Sequence, residues 1–281
     1  MVTRGGETLL FECGEGTQRQ MMRYGVPFGL NEVFFTHFHA DHFLGVIGLV
    51  RTLGLQGRTE ALRLLGPRGA KRLLGQALAL GVERQAFDVE IVEVEPGQVL
   101  ARDGYYLKPF AVEHGGGAVG YALAEQERLG RFDPDRARAL GVPEGPLWGK
   151  LQRGQAVRLD DGREVTSETI VGPPRPGRKL VYSGDTRPCA ATIEAACGAD
   201  LLVHEATFTE EEKDRAKETA HATAREAAEV AKLAGARRLV LTHLSARYSR
   251  DPAPLLEEAR AVFPETVVAK DGLEIEVPFT D

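Results

Sequence analysis

The sequence has 281 residues, of which 43% are apolar, enough to bury a sizeable core without disulfides. Its net charge of −6 excludes a basic surface for nucleic acid over the whole protein, so contacts with phosphates would have to be local. No apolar run reaches the roughly 18 residues that span a membrane, and no apolar signal core follows Met1. We therefore expect a cytoplasmic protein. The three cysteines form no C-x-x-C pair, so neither a disulfide framework nor a cysteine metal site is expected.

Strands and helices alternate along the chain, which predicts an α/β fold, or α+β in some schemes. The predicted strands cover 8–12, 32–36, 61–66, 89–94, 105–112, 121–124, 180–183, 201–203, 238–242 and 266–277. The predicted helices cover 17–23, 43–55, 67–80, 220–233 and 255–263. Residues 125–179 are rich in charge, glycine and proline. They predict an insertion, here called the arm, within a single domain of residues 1–281.

Most of the histidines directly follow the ends of predicted strands. The seven are His37, His39, His42, His114, His204, His221 and His243. Asp41 and Asp185 occupy the same kind of position. Loops after strand ends, carried on a rigid sheet, are where catalytic groups gather. Histidines scattered through a core would not share this context.

The pattern H-x-H-x-D-H spans residues 37–42. Alternate residues of an extended loop point the same way, so His37 and His39 can face one metal ion. Asp41 and His42 lie past the turn and can face a second ion, and zinc favours nitrogen and carboxylate ligands. Two four-coordinate ions are satisfied if one carboxylate bridges them. The candidate ligands are His37, His39, Asp41, His42, His114, Asp185 and His243. The assignment of His114, Asp185 and His243 as ligands depends on the cluster at 37–42, because a lone histidine after a strand is common.

Two ions roughly 3.5–4 Å apart can activate a water and hold the attacked oxygen of a substrate. Such a site suits hydrolysis of phosphodiesters, lactones, thioesters or lactams. The ligand pattern alone does not choose among these reactions.

The H-x-H-x-D-H cluster resembles the metallo-β-lactamase superfamily. The resemblance implies a four-layer αββα sandwich with the metals at one edge. It also implies that His37, His39 and His114 hold one zinc, that Asp41, His42 and His243 hold the other, and that Asp185 bridges. Mn²⁺ or a similar ion is an alternative occupant.

Six further segments resemble the ribonuclease Z family. They are 11–20 (FECGEGTQRQ), 35–42 (FTHFHADH), 145–151 (GPLWGKL), 182–186 (YSGDT), 204–208 (HEATF) and 241–248 (LTHLSARY). This resemblance implies a zinc-dependent endoribonuclease that removes the 3′ trailer from precursor tRNA, leaving a 3′-hydroxyl on the tRNA and a 5′-phosphate on the trailer. It implies a homodimer in which the flexible arm grips tRNA lying across the partner subunit. It implies no DNA or membrane partner.

The resemblance also suggests roles for residues outside the metal shell. Asp41 would accept the proton of the attacking water. His221 would open the alanine-rich helix and protonate the leaving ribose 3′-oxygen, with Glu205 orienting it. The remaining histidine, His204, is expected to be structural. For Glu205 a helix-cap or loop role stays open.

Family members usually begin with a strand and a Gly-Thr-rich loop ahead of the segment that matches residues 11–20. Only a few residues precede that segment here, so we expect the first strand to be missing. Two other functions stay open. One is a small-molecule phosphodiesterase, arylsulfatase-like enzyme or lactone hydrolase, which would have no need for the arm. The other is an RNA-binding scaffold without activity, against which the full set of ligand types argues.

Overall fold

The structure is a computed structural model that describes residues 1–82 and 84–280. The chain divides into two compact units. Unit 1 comprises Met1–Arg102, Leu107–Leu123 and Lys179–Val277. Unit 2 comprises Asp103–Tyr106, Ala124–Arg178 and the residues from Pro278 on.

The strands follow one another as β1 (Val2–Arg4), β2 (Glu7–Phe11), β3 (Glu32–Phe34), β4 (Leu62–Gly66), β5 (Val89–Glu93), β6 (Leu100–Arg102), β7 (Tyr105–Ala111), β8 (Val119–Glu125), β9 (Val157–Arg158), β10 (Glu164–Val165), β11 (Lys179–Tyr182), β12 (Leu201–Glu205), β13 (Leu239–Thr242) and β14 (Thr266–Val268). The helices are α1 (Thr17–Arg23), α2 (Ala40–Phe43), α3 (Gly45–Leu55), α4 (Ala70–Leu78), α5 (Pro134–Ala139), α6 (Pro146–Gln152), α7 (Ala190–Ala195), α8 (Lys213–Glu218), α9 (Ala224–Ala234) and α10 (Ala253–Val262).

The first sheet has the order β1-β2-β3-β4-β5. Strands β2 to β5 are parallel, and β1 pairs antiparallel with β2. Val33 packs in the apolar core that this sheet shares with α3 and α4, beside Leu49 and Leu74. Its neighbour Phe34 points to the opposite face, as the period of two in a strand requires. Both faces of the sheet are therefore covered, which explains why β3 is buried throughout.

The second sheet has the order β14-β13-β12-β11-β8-β7-β6, with β11 to β14 parallel. Its core combines Val181, Leu202 and Leu241 with the alanines of α9. Alanine side chains let this helix approach the sheet closely, because they add little bulk between the two backbones.

The two sheets face each other through four aromatic rings. Phe11 and Phe34 of the first sheet meet Tyr121 and Tyr182 of the second, with ring centroids 5.3–5.8 Å apart across the two sheets. The Tyr121 hydroxyl donates a hydrogen bond to the Phe35 carbonyl over 2.8 Å. Helices, sheet, sheet and helices thus form the αββα layering that the resemblance implies.

Unit 2 contains α5, α6 and the β9–β10 hairpin. It has an apolar cluster of its own, which includes Ala137, Leu151 and Ile170. Two chain segments close it, since Arg128 and Arg175 exchange backbone hydrogen bonds of 2.7 and 2.9 Å. Most of the predicted arm lies in this unit, and its role in gripping RNA stays a prediction.

Several predicted boundaries differ from the structure. The predicted helix 43–55 is two helices, α2 and α3, and the predicted strand 266–277 ends at Val268. The predicted helix 220–233 begins at Ala224, because Thr223 and Glu226 form a capping box there. His221 therefore does not open the helix, and its predicted place at a helix N-terminus was wrong.

Among the described residues no helix is both long and apolar enough to cross a membrane. The cysteines are free.

Candidate metal centre

The predicted ligands converge at one edge of the two sheets of unit 1. Loops and a short helix that follow the carboxyl ends of strands carry them. His37 and His39 follow β3, and Asp41 and His42 lie in α2. His114, Asp185 and His243 follow β7, β11 and β13. Parallel strands bring their carboxyl ends to the same edge, so residues far apart in the sequence meet.

Asp185 lies at the centre of this cluster and is 2% exposed. Its Oδ2 atom is 3.2 Å from Nε2 of His42 and 3.4 Å from Nε2 of His243. The same oxygen is 3.7 Å from Nε2 of both His37 and His114. One carboxylate oxygen therefore faces histidines of both predicted metal sites, which is compatible with the predicted bridging role.

The ligand atoms form two groups around this oxygen. In the first, Nδ1 of His39 is 3.0 Å from Nε2 of His37 and 3.2 Å from Nε2 of His114. In the second, Oδ2 of Asp41 is 3.5 Å from Nε2 of both His42 and His243. Tetrahedral bonds of about 2.1 Å place neighbouring ligand atoms about 3.4 Å apart. The observed spacings of both groups fit a divalent metal ion.

Several buried polar atoms of the cluster make no hydrogen bond within the described part of the chain. They are Oδ1 of Asp185 and both ring nitrogens of His42. Nδ1 of His42 is 3.6 Å from the Glu12 carboxylate, and neither this contact nor the one with Asp185 has hydrogen-bond geometry. Buried polar groups are otherwise almost always paired, so such atoms require an explanation. A cation among them would supply the missing partner.

In His37, His114 and His243, the ring nitrogen that faces away from the cluster has a partner of its own. Nδ1 of His37 lies 3.0 Å from Oγ1 of Thr36, and Nδ1 of His243 lies 3.0 Å from Oγ1 of Thr207. Nδ1 of His114 is 2.8 Å from the Ala220 carbonyl, to which it donates. Such outer contacts set the tautomer and the ring orientation of metal-binding histidines.

The electrostatics of the cluster favour anionic Asp185. Burial alone would raise its pKa, but His42 and the other histidines outweigh burial and hold the pKa well below its usual range. Burial would also lower the pKa of His42, but Asp185 and Glu12 outweigh it and raise that pKa to about 10. Burial and the charge of His42 lower the pKa of His37 to about 3. The cluster therefore pairs anionic Asp185 with protonated His42, and a metal would displace the proton of His42.

His221 lies beside the ligands without belonging to either predicted metal set. Its ring stacks on that of His243, with centroids 5.2 Å apart and planes 21° apart. Its Nδ1 is 2.8 Å from Oε1 of the fully buried Glu205 and 3.9 Å from Oδ2 of Asp185. Burial would lower the pKa of His221, but the hydrogen bond to Glu205 outweighs it and raises that pKa.

Glu205 accepts four further hydrogen bonds besides the one from His221. The donors are Thr186 N, Ala222 N, Thr207 N and Thr207 Oγ1, at 2.8–3.2 Å. Glu205 is the last residue of β12 and not a loop residue, and its role in orienting His221 stays a prediction. The expected structural role of His204 matches its geometry, since it is fully buried and its Nδ1 lies 2.7 Å from the Glu205 carbonyl.

The sequence interpretation missed Glu12 and a feature of the backbone. Oε1 of Glu12 accepts a hydrogen bond from Thr36 N over 2.9 Å while the carboxylate faces His42. Its place after β2 is the same signal that marked the ligands. The described non-glycine residues with left-handed backbone are Glu12, Ala220 and His243, with φ of 54–62°. All three adjoin the metal centre, and their residue types alone did not predict the strained backbone.

Comparison with known proteins identifies the family. The chain matches the beta-lactamase superfamily domain over residues 7–142 and 149–244, a span that contains every predicted ligand. It is 60% identical to ribonuclease Z of Gemmatimonas aurantiaca, over 100% of this chain and 90% of that protein. It is 55% identical to ribonuclease Z of Haloferax volcanii, over 100% of this chain and 89% of that protein. The chain belongs to the ribonuclease Z family.

A solved structure agrees with this assignment. The chain is similar to human tRNase Z, short form, with a TM-score of 0.68 and 26% identity, over 99% of this chain and 91% of that chain. The ribonuclease Z family is thus matched in sequence and in fold. The clustered histidines and aspartates are the part of this chain that suits a divalent metal.

Proposed function

We propose that this protein is a zinc-dependent endoribonuclease that removes the 3′ trailer from precursor tRNA. The cut would leave a 3′-hydroxyl on the tRNA and a 5′-phosphate on the trailer. The observation that carries the proposal is the likeness, over the whole chain, to proteins named ribonuclease Z. The cytoplasm, where such transcripts would be processed, is the proposed location.

The proposed metal content is two zinc ions per subunit. His37, His39 and His114 would hold one ion, and Asp41, His42 and His243 would hold the other, with Asp185 between them. The separations of these ligand atoms, 3.0–3.7 Å, support this division. Mn²⁺ is the alternative occupant, since carboxylates also suit it. When bound, such ions act as Lewis acids on a phosphoryl oxygen and make hydroxide available near neutral pH.

Asp41 is the proposed acceptor of the proton from the attacking water. Its side chain is 68% exposed, so water reaches it. Without a metal, burial acts to raise the pKa of Asp41, but the charge of His42 and the contact with His243 outweigh burial and lower that pKa. The carboxylate is therefore ionised at neutral pH and able to accept a proton.

His221 is the proposed donor of a proton to the leaving 3′-oxygen of the ribose. Nδ1 is engaged by Glu205, so Nε2 is the atom that would deliver the proton. Because Glu205 raises the pKa of His221, the imidazole keeps a useful protonated fraction near neutral pH. Glu205 would act on the substrate only through His221.

The arm is the proposed contact with the body of the tRNA, reaching across a homodimer. Support comes from the family resemblance and from the cations of residues 125–179, which number 11 against 9 acidic residues. A few cations on one face are enough to bind RNA phosphates, with an affinity that falls as salt rises. Folded tRNA would be recognised mainly by shape and backbone.

The direct test is to incubate the zinc-loaded protein with a 3′-extended tRNA and to map the cut. We expect cleavage next to the discriminator nucleotide, with a 3′-hydroxyl on the tRNA product. A protein with full metal content that leaves this substrate intact would refute the proposal.

A deletion variant tests the role of the arm. Gly130 and Gly172 are neighbours, since a Cβ on Gly130 would lie 1.8 Å from the Gly172 carbonyl oxygen. Residues 131–171 can therefore be deleted by joining these glycines. We expect tRNA cleavage to be lost and hydrolysis of bis(p-nitrophenyl) phosphate to remain. Undiminished tRNA cleavage would mean that the arm has no part in binding.

A further inference from the structure

Arg187 reaches from the Asp185 loop to the residues around His221. Its Nη1 donates to the His221 carbonyl and, over 2.8 Å, to Oε2 of Glu226. Its Nη2 donates to Oε1 of the same carboxylate. The side chain of Arg187 is 18% exposed and that of Glu226 is 7% exposed. The chemistry proposed above assigns no role to this pair.

Glu226 is itself fixed at the start of α9. Its Oε2 accepts a hydrogen bond from Thr223 N over 3.0 Å, and Thr223 Oγ1 accepts one from Glu226 N over 3.1 Å. This capping box makes Glu226 a rigid anchor. A bidentate arginine–carboxylate pair adds geometric definition to such an anchor. Through Arg187, the His221 carbonyl is therefore held at a set position relative to α9.

Each residue from 220 to 222 is held by a different group. His114 donates to the Ala220 carbonyl, Arg187 donates to the His221 carbonyl, and Glu205 accepts from Ala222 N. Ala220 has left-handed backbone, with φ of 57°. A strained segment keeps such a conformation only where its surroundings fix it. The His221 N–H donates to the Ala216 carbonyl over 2.8 Å, and Arg187 supplies the contact at the His221 carbonyl.

We infer that Arg187 is a positioning residue for His221. Its guanidinium holds the His221 peptide, so that the imidazole stays beside His243 with Nδ1 on Glu205. This inference rests on the proposed function, because it concerns the proton donor of that reaction. Loss of Arg187 removes the contact and leaves the buried Glu226 carboxylate without its cation.

The test compares Arg187→Lys and Arg187→Ala with the wild-type holoenzyme on two substrates. On 3′-extended tRNA we expect the single-turnover rate to fall about 10- to 100-fold, as small misplacements of catalytic groups cause. We expect KM to change less than about twofold and zinc content to stay unchanged. On bis(p-nitrophenyl) phosphate we expect a loss of no more than about threefold, because p-nitrophenolate departs without a proton.

Two further variants separate positioning from folding. Arg225→Ala removes an exposed pair with Glu229 on the same helix and should leave both activities at the wild-type level. Glu226→Gln keeps a side-chain oxygen that can accept from Thr223 N. It should lose activity on tRNA selectively, as the Arg187 variants do, but to a smaller extent. Thermal unfolding of each variant is measured, and the assays are run well below every midpoint. Arg187→Lys keeps the charge, so it serves where Arg187→Ala does not fold.

Three results would overturn the inference. They are equal losses on both substrates, a loss confined to KM, and wild-type rates in both Arg187 variants. If the wild type cuts no tRNA, the proposed function fails separately. In that case the role of Arg187 is tested by measuring hydrolysis rates of a series of aryl phosphodiesters whose leaving phenols differ in pKa. In the Arg187 variants the rate should fall more steeply with the pKa of the phenol than in the wild type, and an unchanged slope would refute the positioning role.

Discussion

Gly14 sets the distance between the Cys13–Gly14 loop and α2, the short helix that carries Asp41 and His42. A Cβ on Gly14 would lie 2.1 Å from the Asp41 carbonyl oxygen, whereas real Cβ contacts essentially never fall below 3.0 Å. The φ of Gly14 is not left-handed, so the obstacle to alanine is this collision and not the backbone conformation. Gly14→Ala therefore requires Asp41 and the loop to separate by about 0.9 Å.

This displacement would act on the second metal site. Cys13 N donates to the His42 carbonyl over 2.8 Å. A separation of the loop from α2 would therefore either displace His42 or break this hydrogen bond. The first site should keep His37, His39 and His114. A shift of about 1 Å in a catalytic group costs roughly 100-fold in rate. We expect Gly14→Ala to lose about one zinc per chain after dialysis against buffered zinc, with kcat on bis(p-nitrophenyl) phosphate falling about 100-fold.

The assay pairs metal analysis by mass spectrometry with initial rates and thermal unfolding. Gly75→Ala is the matched control, because a Cβ there meets nothing within 4 Å inside α4. That control should keep zinc and rate and gain about 0.5–1 kcal/mol of stability. Gly14→Ala protein with full zinc and a wild-type rate would refute the steric argument.

Three other predictions concern stability. Burial holds the pKa of His204 below its usual value, so its contribution to the free energy of unfolding is complete above about pH 6.5 and declines below it. Chemical denaturation from pH 7 to 5 gives the slope of the free energy of unfolding against pH. In His204→Gln this slope should be shallower than in the wild type by up to about 1.4 kcal/mol per pH unit, and equal slopes would contradict the prediction. Ala220→Gly should raise the unfolding midpoint by about 1–2 °C, because glycine adopts φ of 57° without the strain of alanine; a lower midpoint would count against it. The Phe279 ring centroid lies 4.0 and 4.2 Å from the guanidinium carbons of Arg128 and Arg178, so Phe279→Ala should remove about 1 kcal/mol and speed hydrogen exchange at Arg128 N roughly fivefold. Unchanged exchange there would show that the ring does not stabilise unit 2.

The sequence alone predicted the α/β class and the candidate metal ligands, and the resemblance to the metallo-β-lactamase superfamily added the αββα layering. Burial alternates along a strand with a period of two, and polar residues placed just after such strands meet at one sheet edge. Both signals are local, so His37 to His42, Asp185 and His243 could be picked out from their neighbours. The strands β2, β3 and β13 lie within two residues of their predicted bounds for the same reason.

Tertiary structure decided how those ligands are held. Thr207 meets His243 across 36 positions of sequence, and the Ala220 carbonyl meets His114 across 106. Left-handed backbone at Glu12, Ala220 and His243 depends on the packing around each residue, because this conformation is strained for residues that carry a Cβ. The predicted start of α9 was also wrong, since the alanine periodicity continues towards the N-terminus beyond the capping box at which the helix begins. Periodicity records which side of an element is buried, but only the packed elements determine which distant groups share a hydrogen bond.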